Sequence, residues 1–85
     1  VPGELKEKGY QILLKLMPRI PKEIHIQAVV QIGDPAKNIV QYSEDYPTDL
    51  IIIGNRGLSG LKKILLGSVS NYVLLRSQVP ILIMK

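Results

Sequence analysis

Apolar residues recur along this chain with two periods that take turns. Leu5, Gly9, Ile12, Leu13, Leu16 and Met17 recur at helical spacing, with Glu4, Lys6, Glu7, Lys8, Gln11 and Lys15 mostly elsewhere. Pro18 and Pro21 close that pattern. From Glu23 to Gln31 the period shortens, through Ile24, Ile26 and Ala28, and becomes continuously apolar over Ala28 to Val30. This predicts a strand, half exposed at its start and buried at its end. Asp34 then offers an N-cap and Pro35 a first-turn proline. Behind them Ala36, Ile39, Val40 and Ser43 fall at i, i+3, i+4 and i+7, an amphipathic helix that stops before Pro47. Leu50 to Ile53 is a short apolar run, rich in β-branched residues and ended by Gly54, which predicts a strand buried on both faces. Leu58, Leu61, Ile64, Leu65 and Leu66 suggest a helical turn inside the connection that follows. A last helix is expected from about Ser68 to Ser77, with Val69, Val73 and Leu74 inward and Ser68 capping. Pro80 opens a final strand, Ile81 to Met84.

The order is therefore helix, strand, helix, strand, turn, helix, strand. Such alternation with short connections predicts an α/β fold with an open parallel sheet and right-handed crossovers. Doubly wound folds ordinarily begin with a strand, whereas this chain opens on Val1 and goes straight into a helix. Val1 is accordingly read as an interior residue of a longer domain, one that needs its other half or a partner chain.

Composition narrows the function classes. The chain has 85 residues, 46% of them hydrophobic, with no Cys, Trp or Phe and a net charge of +4. That length suits one small domain, which buries only about 60–65% of the surface its unfolded chain exposes. Without cysteine there is no disulfide, no thiolate metal site and no thiol nucleophile. No apolar run approaches the roughly 20 residues that span a membrane, so a cytoplasmic protein with no membrane partner is expected. Every Asp and Glu lies at or before Asp49, and Arg56, Lys62, Lys63, Arg76 and Lys85 follow unopposed. A basic C-terminal part suits an anionic ligand and equally an ordinary solvated surface, and with so few aromatics a nucleic-acid partner is not expected. His25 has no Cys, His or acidic companion at ligand spacing, so no metal site is assigned. Glu44 and Asp45 are adjacent and splay apart on a helix, which does not suit paired acid/base work, and no catalytic residue is assigned.

The candidate chemistry lies between Gly54 and Ser70. Gly54 and Gly57 are separated by two residues, and nine more precede Gly67, which is followed by Ser68 and Ser70. Glycine at a strand end lets a ligand approach the backbone. A Gly-Ser pair at a helix head offers free N–H groups, a hydroxyl and the positive end of the helix dipole. Together these make an anion cradle, most naturally for phosphate. The spacing is not Walker A, since Ser59 stands where the second glycine is required and Gly60 is followed by Leu61, nor the dinucleotide fingerprint, since the close Gly-x-Gly pair is lacking. On residues alone, glycine turns of purely structural use stand beside the ligand site as an open alternative.

Gly54-x2-Gly57-x9-Gly67-Ser68, preceded by Asp49-Leu-Ile-Ile-Ile and followed by Ser70 and Pro80-Ile-Leu-Ile, closely resembles the universal stress protein family. Gly33-Asp34-Pro35 and Leu58-Ser-Gly-Leu-Lys resemble it too, so that the likeness covers nearly the whole chain. The resemblance implies the adenine-nucleotide alpha hydrolase-like fold, a five-stranded sheet of order 3-2-1-4-5. Residues 1–85 would form the C-terminal part of one such domain, without its first strand, first helix and second strand. It further implies ATP, with or without Mg2+, bound by Ile53, Gly54, Arg56, Gly57, Gly67, Ser68, Val69 and Ser70. The residues that hold adenine in the family, an acidic one after the first strand and a small apolar one on the second, have no counterpart here. A homodimer through the last strand, Ile81, Leu82, Ile83 and Met84, is implied as well. The expected function is a dimeric, ATP-binding regulator in stress response, with at most slow ATP hydrolysis or autophosphorylation. A nucleotide-independent interaction module and an α/β nucleotide-dependent enzyme are the alternatives.

Overall fold

The computed structural model describes residues 2–54 and 63–84, and for Pro2 and residues 63–66 the backbone only. The chain divides at Gly33 into two compact units.

The first unit holds helix α1, Pro2–Leu16, closed by a 3₁₀ turn over Met17–Arg19. Pro18 cannot donate to the α ladder, so the last turn tightens, and the Ile20 N–H bonds the Met17 carbonyl at 3.1 Å. Ile12, Leu13 and Met17 are half-buried, whereas Leu5 and Leu14 face solvent. Gly9 lies against Val30 of the segment after this helix. A Cβ built there would stand 2.8 Å from the Val30 Cγ1, so only glycine lets the Val30 side chain lie against the helix.

The segment expected as a strand over Glu23–Gln31 carries no ladder among the described residues. Its side chains still alternate where the pattern was apolar: Ala28 and Val30 are half-buried, Val29 and Gln31 exposed. A strand exists only by pairing, since each of its backbone groups needs a partner across the ladder. In the sheet order that the resemblance implies, this segment would pair with the second strand, which the same resemblance does not assign to these residues.

The second unit is built on helix α2, Pro35–Asp45, strand β1, Ile51–Gly54, helix α3, Lys63–Arg76, and strand β2, Ile81–Met84. Gly33, at φ 132°, takes a backbone conformation that other residues avoid and turns the chain into α2. The Asp34 carboxylate accepts from the N–H groups of Ala36 at 3.0 Å and Lys37 at 3.3 Å, satisfying two donors of the first turn. Replacing that carboxylate, Asp34→Ala, is expected to cost about 1 kcal/mol, read as a lowered denaturation midpoint with an unchanged slope. A midpoint equal to the wild type's would show that the cap contributes nothing.

β1 and β2 pair in parallel, in the register Ile51↔Ile81, Ile52↔Leu82, Ile53↔Ile83 and Gly54↔Met84. A parallel pair needs a crossover, which α3 supplies by carrying the chain back to the level of Ile51. The core lies between this ladder and the two helices. Val73 of α3 is completely buried, against Ile51 and Ile53, with Ile39, Val40, Val69, Val79 and Ile81 closing around them.

Two expectations are corrected by this packing: Leu74, expected to turn inward with Val69 and Val73, is 59% exposed, and the second concerns β1. The apolar run at β1 was expected to be buried on both faces, yet Ile51 and Ile53 are buried while Ile52 remains 61% exposed. α2 and α3 both contribute to the core around Ile51 and Ile53, and among the described residues of this unit no helix is packed on the opposite face. The strand also begins one residue later than expected and takes in Gly54.

Candidate functional site

In a parallel sheet, ligands bind beyond the carboxyl ends of the strands. Here that end carries Gly54, opposite Met84, and the chain runs on from Gly54 towards the head of α3. The Ile53 side chain is 7% exposed and belongs to the core, so only its backbone is available to a ligand. Gly54 is exposed. Arg56 and Gly57 lie outside the described residues.

Gly67, Ser68, Val69 and Ser70 lie together on one helix, but not at its head. α3 begins at Lys63, so these four residues form its second turn. The expected cap role of Ser68 is thereby corrected. Lys63, Leu65 and Leu66 are good helix formers and Ile64 a tolerable one, so the turn expected within the connection fuses with the last helix through Gly67. In this arrangement the N–H groups of residues 67–70 donate into the i→i−4 ladder. The Ser70 hydroxyl donates to the Gly67 carbonyl at 3.1 Å. Gly67 and Ser68 are exposed, Ser70 is half-buried, and Val69 leans on the core.

Gly67 is the informative residue of the group. It does not take a positive φ, and among the described residues a Cβ built on it meets nothing within 4 Å. The packing of those residues therefore does not require glycine there. A mid-helix glycine costs roughly 1 kcal/mol relative to alanine.

Other candidates keep structural roles. The Tyr42 and Tyr46 rings lie 4.5 Å apart on the edge of α2, and the Asp45 carboxylate accepts from the Gln41 side-chain amide at 2.9 Å. His25 is exposed. One contact was not anticipated: the Arg76 guanidinium sits 3.8 Å from the centre of the Tyr72 ring, a cation–π pair at the i, i+4 spacing of one helix face. Among the described residues no group of three His, Cys, Asp or Glu side chains could hold a metal ion. Among them, too, no helix is long and apolar enough to cross a membrane.

A parallel strand–helix–strand unit, packed under a second helix and carrying a glycine–serine turn behind the first strand's carboxyl end, defines an α/β protein with an open parallel sheet. The chain belongs to the universal stress protein family, whose model matches residues 2–85. That membership places it among stress-response proteins. It is similar to universal stress protein YxiE of Bacillus subtilis, at 34% identity over the whole of this chain and 58% of YxiE. Similar relatives in Methanocaldococcus jannaschii are universal stress protein MJ0577, at 37% identity over 98% of this chain and 54% of that protein, and universal stress protein MJ0531, at 39% over 95% and 48%. The chain thus spans about half the length of the curated relatives it matches. No solved structure matches it.

Proposed function

We propose that this chain binds an adenine nucleotide, ATP, and acts in stress response as a dimeric cytoplasmic regulator. The observation that carries the binding is Gly67, a glycine in a helix where neither the backbone conformation nor the packing of the described residues calls for one. In this reading a phosphate occupies the space that its missing side chain leaves open, without steric cost. Gly67, Ser68, Val69 and Ser70 hold the phosphates in this reading, the backbones of Ile53 and Gly54 border the ribose, and Arg56 and Gly57 belong to the same site. With no acidic residue after Asp49, the field around it favours an anion.

The dimer is proposed through Ile81, Leu82, Ile83 and Met84. β2 pairs with β1 on one edge, and its other edge meets no strand among the described residues. Leu82, Ile83 and Met84 are each about half exposed. An apolar edge with unpaired backbone groups is a template for pairing with a second copy. That same edge favours the second reading, an interaction module that needs no nucleotide.

Calorimetric titration of the full chain with ATP tests the proposal. Saturable binding at one site per chain is expected. Dimerisation without any heat of ATP binding would favour the interaction module instead.

A further inference from the structure

Two demands meet on the same amides. As the second turn of α3, residues 67–70 donate their N–H groups to the carbonyls of residues 63–66. As the phosphate site proposed above, they would donate those groups to the ligand. An N–H donor aimed along the helix axis at a carbonyl is not also available to a phosphate at the helix face.

We propose that ATP binding unwinds the first turn of α3, Lys63–Leu66, and moves the start of the helix to the Gly67–Ser70 turn, a helix-to-loop switch driven by the nucleotide. The inference rests on the reading of Gly67–Ser70 as the phosphate site. One observation marks where the break falls. Gly67 is a poor helix former in the middle of the helix, exposed and, among the described residues, with nothing packed where its side chain would be. Unwinding frees the donors of residues 67–70 and leaves them as the first turn of the shortened helix, where N–H groups have no intrahelical partner. Phosphate then takes the place of the lost carbonyls, at the positive end of the dipole. Affinity for ATP is consequently reduced by the fraction of molecules in which the turn is already open.

The test uses the full chain and ATP itself. In a carbon-labelled sample, the Cα shifts of residues 63–66 are helical without nucleotide and are expected to fall to coil values at ATP saturation. Retention of helical shifts while ATP is bound, or amide perturbations centred on residues 63–66 rather than 67–70, would overturn the switch and leave the ATP reading standing. Absence of ATP binding to the wild type would remove both. A second arm compares Leu65→Gly with Leu65→Ala, which remove nearly the same side chain and differ mainly in helix propensity. Leu65→Gly is expected to bind ATP up to about five-fold more tightly than Leu65→Ala. Equal affinities, or tighter binding by Leu65→Ala, would contradict the proposal.

Discussion

Gly67→Val is expected to lose ATP affinity by about 100-fold or more while the protein stays folded. The two halves of that expectation come from the same place in the structure. Among the described residues nothing lies within 4 Å of a Cβ at Gly67, so a valine side chain displaces none of them. Valine is a weak helix former, but no worse than the glycine it replaces, so stability should stay within about 0.5 kcal/mol of the wild type. The space it fills is the one through which phosphate would approach the Ser68 and Ser70 positions. A hundred-fold loss corresponds to about 2.7 kcal/mol, the size expected when several charge-assisted contacts fail together. The midpoint of denaturation and the ATP titration are measured on the same preparation. A folded variant with wild-type affinity would show that residues 67–70 do not hold the ligand.

Val73→Asp is expected to unfold the unit that carries the site. Val73 is completely buried where α3 meets Ile51 and Ile53, and among the described residues no buried polar or charged group stands in that core to receive a carboxylate. Burial raises a carboxyl pKa by up to about 3–5 units, and each unit is worth about 1.36 kcal/mol, so the ionisation penalty at neutral pH reaches up to about 4 kcal/mol. A chain of 85 residues commands roughly 4–13 kcal/mol of stability in all. The sign with pH follows from the raised folded-state value. Below the unfolded pKa of about 3.9 both states are protonated and the ionisation penalty vanishes; it grows as pH rises from there towards the folded value. The measurement is denaturant unfolding of Val73→Asp against Val73→Asn, whose side chain does not titrate. The gap between them should close below about pH 4, and a gap independent of pH would place residue 73 in a wetter environment than the structure shows.

What the sequence alone reveals divides along the range of the interactions involved. α2 is legible because its signals are local: Asp34 caps, Pro35 opens, and Ala36, Ile39 and Val40 turn inward as their spacing requires. β2 is legible over the same four residues, Ile81–Met84, because Pro80 fixes its start. The segment over Glu23–Gln31 has the pattern of a strand but not the ladder, since pairing depends on a neighbour far away in sequence. β1 was misjudged for a related reason. A continuous apolar run does not say how many of its faces will be covered, and here one is.

The candidate site was chosen on residue spacing, and its conformation was not legible from that spacing. Gly67, Ser68, Val69 and Ser70 were picked out from spacing, and they do share one turn of α3. Their place within the helix was missed, because a glycine followed by serine is the ordinary mark of a helix start, and the good helix formers ahead of it outweighed that mark. Arg56 and Gly57 fall outside the described residues. The Tyr72–Arg76 pair was readable from its i, i+4 spacing, but neither residue carried any other signal.

The central claim is that this chain binds ATP as a dimer, and native mass spectrometry of the purified protein, with and without added ATP, tests it most directly. One spectrum reports chain mass, oligomeric state and retained ligand together. A dimer carrying the mass of one ATP or ADP per chain is the expected result. A species that stays free of nucleotide at saturating ATP would contradict the account, and if that species is dimeric it would leave the β2 edge as the working surface of the protein.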